Sequence, residues 1–117
     1  MVIPCQAANN ILLEQICKHI EEVQDYYYIT KSGEVFSYAR TRPISLALSR
    51  DRDGYLRVSL QTKDGCRKSY RVNRLVALAY IPNPMNYPVV NHINHDISDN
   101  SINNLEWCSI SYNTKDG

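Results

Sequence analysis

The sequence predicts an α+β domain, with an N-terminal helix and an antiparallel sheet ahead of a C-terminal unit of two strands, a long loop and a helix. Three observations predict it. Apolar residues recur at helical spacing over residues 11–23 and again over 72–80. Between these stretches apolar and polar residues alternate at strand spacing, punctuated by Lys-Ser-Gly and Lys-Asp-Gly turns. Past a proline-rich connector, the stretch NHINHDISDNSINNLEW (residues 91–107) holds a long polar loop between two strand-like ends. Loops of that length are either disordered or functional.

The elements follow in order. Asn9 or Asn10 can cap the first helix. Its apolar face is Ile11, Leu12, Ile16, Ile20 and Val23, and Glu14, Gln15, Lys18, His19, Glu21 and Glu22 lie opposite. His19, among those polar residues, reads as a surface histidine. YYYIT (26–30) and EVFSYA (34–39) read as strands around a Lys31-Ser32-Gly33 turn, because aromatic and β-branched residues suit a sheet. Residues 40–53 carry Arg42-Pro43 and Asp51-Arg52-Asp53-Gly54 and read as a long, basic, mobile loop. A hairpin comes next: YLRVSLQ, the turn TKDG, then CRKSYRV. Leu56, Val58 and Leu60 fall on one face and Tyr55, Arg57, Ser59 and Gln61 on the other, with Arg67, Ser69 and Arg71 sharing a face in the second arm.

A second helix starts near Asn73, with Val72, Leu75, Val76, Ala79 and Tyr80 as its stripe; Pro82 stops it and IPNPMNYP extends away. PVVNHIN and NLEWCSI read as strands at the two ends of the polar loop. Val90, Leu105 and Trp107 read as core residues pinning those ends, Cys108 as a buried thiol, and Asn100 and Asn103 as turn residues. Ser109 or Ser111 can cap a short terminal helix. The chain is thus expected to divide into an N-terminal helix (1–24), a basic antiparallel sheet (25–72), and a helix, connector and strand–loop–strand–helix unit (73–117), all within one compact domain.

Composition narrows the class. At 117 residues the chain has the size of one domain, and at 44% hydrophobic it can bury an ordinary core. It holds no repeat, no low-complexity segment and no apolar run of membrane-spanning length, so no membrane partner is expected. The N-terminal MVIPCQAANN lacks the basic and apolar regions of a signal peptide, which points to a cytoplasmic, intracellular protein. Cys5, Cys17, Cys66 and Cys108 form no C-x-x-C pair, against a zinc ribbon and without a disulfide framework.

Charge is unevenly placed. Net charge is +1, yet residues 31–74 carry eleven bases and four acids, and the rest of the chain carries two bases and eight acids. A basic segment in a near-neutral chain is the footprint of a polyanion site, or else a solvated, Arg-rich sheet face. Arg, Tyr, Ser and Gln on one face of a two-stranded ribbon are residue types that reach phosphates and base edges, and such a ribbon fits the major groove.

The polar loop supplies candidate chemistry. His92 ends the first strand, Asn104 opens the second, and Asn113 lies on the terminal helix. A histidine and two amides brought together this way suit metal-assisted phosphodiester hydrolysis. A neutral imidazole can take a proton from water, a hydrogen bond to its other nitrogen fixes the tautomer, and a hard cation on oxygen ligands offsets phosphate charge.

At these residues the sequence resembles the HNH endonucleases, in particular the small phage- and intron-encoded homing type. The stretches that carry the likeness are RVNRLVALAYIPNP, YPVVNHIN and DNSINNLEWCS, in that order, with YYYIT–KSG–EVFS and GYLRVSL upstream; together they span roughly residues 25–114. The resemblance implies a C-terminal ββα-metal (HNH) unit. It implies that His92 is the general base, that Asn104 orients it, and that Asn113 and Asn91 are metal ligands for Mg2+ or Mn2+. Asn91 stands where many members place an aspartate, and its amide oxygen lacks a carboxylate's charge. His95, in the loop, reads as an exposed residue or a spare ligand. The implied activity is hydrolysis of phosphodiester bonds in double-stranded DNA, by nicking or double-strand cutting, in a monomer or homodimer. Arg40, Arg42, Arg50, Arg52, Arg57, Arg67, Lys68 and Arg71 are the expected DNA contacts. Two other readings stand beside it: a DNA-binding protein on a weakened HNH scaffold, and a phage-encoded interaction or inhibitor protein that grips an acidic partner.

Overall fold

A computed structural model of the chain describes residues 13–110. Among these residues nine strands form three antiparallel sheets, and one α-helix packs with them around one core. β1 (Leu13–Gln15), β2 (Tyr27–Thr30), β3 (Val35–Ser37) and β4 (Ile44–Ser45) make a four-stranded sheet in that order. β5 (Ser49–Arg50), β6 (Leu56–Gln61) and β7 (Arg67–Arg71) make a second sheet, and β8 (Val89–His92) pairs with β9 (Leu105–Cys108). α1 (Val72–Tyr80) follows β7 without a loop and packs on β2, β6 and β9.

The core forms where the alternation and the helical stripe predict. Val58 and Leu60 of β6, and Val72, Leu75 and Val76 of α1, are buried with Ile29, Val35 and Leu105. Each such side chain contributes about 1.5–3 kcal/mol when removed from water. Leu105 and Cys108 are buried, and Val90 packs against the core, so the strand ends that bracket the polar loop are anchored. No helix among the described residues is long and apolar enough to cross a membrane.

The N-terminal helix is corrected. From Leu13 onward the chain forms β1, which pairs with β2 in the register Leu13↔Thr30 and Gln15↔Tyr28, and then a 3-10 turn over Ile16–Lys18. Of the apolar positions that suggested a helix, Ile16 and Val23 are buried and Ile20 packs against the core, while Ile11 and Leu12 lie outside the described residues. A short run of inward-facing residues fits a strand followed by a turn as well as a helix, and the unpaired edge of β2 selects the strand. The caps Asn9 and Asn10 lie outside the described residues. The 40–53 loop is corrected in part. It contributes β4 to the first sheet and β5 to the second, because the open edges of β3 and β6 accept its backbone. The terminal helix expected after Ser109 and Ser111 lies outside the described residues.

Candidate active site

The β8–β9 pair sets the frame. Its register places Asn91 opposite Glu106 and His92 opposite Leu105. Immediately after His92 the strand pair closes through Ile93 N–H to the Asn104 carbonyl at 2.8 Å. The polar loop that follows is ordered by its own side chains. Asn94 Oδ1 accepts from Asp96 N–H (2.8 Å), Asp96 Oδ1 from Ser98 N–H (3.0 Å), and Asp99 Oδ1 from Ser101 N–H (3.2 Å). These local bonds satisfy backbone donors that a loop would otherwise expose, which accounts for its Asn, Asp and Ser content. His95 takes a left-handed backbone (φ 67°) within the tight turn after His92.

Asn104 is the staple of this loop. Its Oδ1 accepts from Asn94 N–H at 3.0 Å and its Nδ2 donates to the Asp99 carbonyl at 2.9 Å, with only 6% of the residue exposed. Its amide is spent on the loop backbone and does not touch the His92 ring. The ring contact belongs to Asn100, which sequence reasoning assigned to a turn. His92 is 4% exposed, and its Nε2 lies 2.8 Å from Asn100 Oδ1. An amide oxygen only accepts, so Nε2 carries the proton and Nδ1 keeps a lone pair. Asn100 is held in turn by the Lys-Ser-Gly turn between β2 and β3. A Cβ on Gly33 (φ 94°) would come 3.1 Å from Asn100 Cβ, and the Lys31 carbonyl accepts from Ile102 N–H at 3.0 Å. Asp99, one residue before Asn100, has its carboxyl held below the usual range. The Ser101 hydroxyl does most of this, then the Ser101 N–H, with a smaller contribution from His92.

An aromatic ring links the basic sheet to this site. Tyr55 packs on His92 with ring centroids 5.8 Å apart, and the Arg71 guanidinium lies 4.1 Å above the other ring partner, Tyr55. Arg71 Nε donates to Asp51 Oδ2 at 3.1 Å, and Arg57 Nη1 donates to the same oxygen at 3.3 Å. Partial burial raises the Asp51 carboxyl, but the Tyr55 and Asp53 N–H groups and these two guanidiniums outweigh it and hold the carboxyl below its ordinary range. Asp51 therefore fixes both arginines as a pair across the β6–β7 register.

The expected DNA contacts divide. Arg57↔Arg71, Ser59↔Ser69 and Gln61↔Arg67 are direct cross-strand pairs and form one polar face. Arg57 Nε donates to Ser69 Oγ at 2.8 Å and Arg67 Nε to Ser59 Oγ at 3.3 Å. Arg50 joins the site directly, donating to Ser98 Oγ in the polar loop at 2.8 Å. Arg40, Arg42 and Arg52 are exposed. Lys68 does not join them: strand alternation turns it to the opposite face, where Nζ pairs with Glu22 at 2.9 Å. Arg74, absent from the expected contacts, lies in a cleft of about 200 Å3 with Arg71, Asn73, Pro88, Val89 and Val90. It donates to the Pro88 carbonyl at 2.8 Å.

For a metal, the donor chemistry is hard. Asn91 Nδ2 donates to Glu106 Oε2 at 3.0 Å, so an amide and a carboxylate, both carrying oxygen donors, are bonded neighbours across the β8–β9 pair. Among the described residues no three His, Cys, Asp or Glu side chains converge, and Cys17, Cys66 and Cys108 form no disulfide with one another. Oxygen donors without thiolates fit Mg2+ or Mn2+ and not a zinc staple. Asn113 lies outside the described residues.

Known proteins of similar sequence and fold belong to one family. Residues 70–115 match the HNH endonuclease family model. Two uncharacterized HNH endonucleases of Acanthamoeba polyphaga mimivirus are similar: one is 45% identical over 92 residues and the other 37% over 91, covering 79% and 76% of this chain. The DNA endonuclease I-HmuI of Bacillus phage SP01 is 29% identical over 98 residues. This chain spans 27%, 22% and 55% of these three proteins. A solved structure of the HNH homing endonuclease I-HmuI, described by its DNA binding and cleavage, superposes with a TM-score of 0.74 at 26% identity. The match covers 91% of this chain and 57% of that one.

Proposed function

The chain belongs to the HNH endonuclease family, and from that premise we propose that it is a metal-dependent, homing-type endonuclease that hydrolyses phosphodiester bonds in double-stranded DNA. The observation that carries the reading is the buried His92 ring, with Nε2 bonded to Asn100 Oδ1 at 2.8 Å beside an arginine face. In this tautomer Nδ1 accepts a proton from water as the oxygen attacks phosphorus. The bond from phosphorus to the 3′ oxygen breaks, and the leaving oxyanion takes a proton from solvent water, giving a 3′-hydroxyl and a 5′-phosphate. The imidazolium that forms keeps its bond to Asn100 and gains the Asp99 carboxylate as a neighbouring charge.

A divalent cation, held by Asn91 and Asn113, would supply positive charge against the phosphate and the leaving oxygen. Asn104 keeps the loop closed, so that His92 and Asn91 stay in register. Arg50, Arg57, Arg67 and Arg71 grip the backbone of the duplex, with Arg40, Arg42 and Arg52 as outer contacts. With one site per chain, a monomer nicks and a homodimer cuts both strands.

The test is cleavage of supercoiled plasmid with Mg2+, with Mn2+ and with chelator, His92→Ala in parallel. Metal-dependent nicking that disappears in the variant supports the proposal. Asn91, an amide where a carboxylate would bind a cation more tightly, favours a second reading, a DNA-binding protein on a weakened scaffold. That reading expects DNA binding with no cleavage by the wild-type chain. Weak DNA binding even at low salt would favour the interaction-protein reading over both.

A further inference from the structure

Resting on the nuclease reading above, we infer that Glu106 is the anionic ligand of the cation site, standing in for the carboxylate that Asn91 lacks. Three observations carry this. Glu106 is the direct cross-strand partner of Asn91, so the two side chains leave the same face of the β8–β9 pair. Asn91 Nδ2 donates to Glu106 Oε2 at 3.0 Å, and among the described residues neither Asn91 Oδ1 nor Glu106 Oε1 has a hydrogen-bond partner. No basic side chain pairs with Glu106 among the described residues. A half-buried carboxylate whose one described partner is a neutral amide is poised for a positive ligand.

The reach and the room are both suitable. Glu is one methylene longer than Asp, so from β9 its carboxylate can extend across the hairpin to the oxygen of Asn91. Glu106 also lines an open cleft of about 360 Å3 with Tyr87, Trp107, Cys108 and Ser109. Mg2+ gives up its hydration shell reluctantly and is bound by one or two carboxylates with several waters retained. An amide and one carboxylate beside an open cleft fit that pattern. The amide alone, without the carboxylate, would be a neutral site for a doubly charged ion.

The experiment is Mn2+ binding to the full chain without DNA, read by the electron paramagnetic resonance of free Mn2+, for wild type, Glu106→Gln, Asn91→Asp and the double variant. Gln keeps an oxygen to accept from Asn91 Nδ2 and removes only the charge. The expected result is a loss of tenfold or more in affinity for Glu106→Gln, recovered in the double variant because the charge returns at position 91. Melting temperatures check that each variant is folded. Equal affinity of wild type and Glu106→Gln would overturn the inference, reducing Glu106 to a residue that orients Asn91, and would leave the nuclease reading intact. Binding by Asn91→Asp but not by wild type would also overturn it. Absence of binding in all four would remove the cation site itself.

Discussion

Replacing Asn100 by Ala is the sharpest test of how His92 is held. Asn100 and His92 are 4% exposed each, and the 2.8 Å bond between them is what selects the tautomer with Nδ1 free. Removing the amide leaves a buried ring N–H without its acceptor, at a cost of about 1–3 kcal/mol. At 1.36 kcal/mol per factor of ten, that lowers the cleavage rate by about 5- to 150-fold if the whole cost falls on the reactive tautomer. The assay is single-turnover nicking at saturating protein, with duplex affinity measured separately. Affinity should stay within twofold, because Asn100 is buried away from the arginine face. Asn100→Asp separates positioning from bulk stability. It keeps an acceptor for Nε2, should recover most of the rate, and should move the acidic limb of the pH–rate profile upward by stabilising the imidazolium. Wild-type rates in a folded Asn100→Ala protein would refute the tautomer argument.

Other predictions test the supports of the same site. Gly33→Ala forces a side chain into a left-handed backbone and against Asn100 and Val72 at 3.1 Å, so it should cost about 1–3 kcal/mol in a denaturant melt and reduce nicking with it. Arg67→Ala should reduce the slope of log affinity against log salt by about one, whereas Lys68→Ala, on the opposite face and paired to Glu22, should leave it unchanged. Asp51 and Asp99 have lowered carboxyl values, so their contribution to stability is complete above the ordinary range and is lost as pH falls through their lower native values, beginning near pH ~4. Thermal melts from neutral pH downward should show this loss, and Asp51→Asn should make the decline shallower. Burial pushes the Tyr80 hydroxyl up to about 12, with its proton given to the Ile29 carbonyl at 2.6 Å, so stability should also fall as pH rises from ~10 toward that value.

The sequence by itself determined much of this protein. Period-two alternation located β6 and β7 and assigned Val58 and Leu60 to the core, because a strand with one buried face must alternate. The 3.6-residue stripe located α1, and the spaced motifs around Asn91, His92 and Asn104 identified the HNH family. Periodicity could not tell helix from strand over the short N-terminal run. Burial of Ile16 and Val23 satisfies either, and the open edge of β2 made the choice. Alternation already places Lys68 opposite Arg67, Ser69 and Arg71, but only the folded chain shows its partner there, Glu22.

Only the tertiary structure decided which amide touches His92. Asn100, Asn103 and Asn104 look alike in sequence, but Asn104 is consumed by the backbone at Asn94 and Asp99. Gly33 lets the distant β2–β3 turn press Asn100 onto the ring. The pairing of Asn91 with Glu106 is likewise a matter of register, and the chain Asp51–Arg71–Tyr55–His92 joins residues from separate elements. The physical reason is common to all three. Residue type and spacing report local periodicity and chemistry, while a buried hydrogen bond is chosen by whichever donor and acceptor the closed core brings within 3 Å or so of each other.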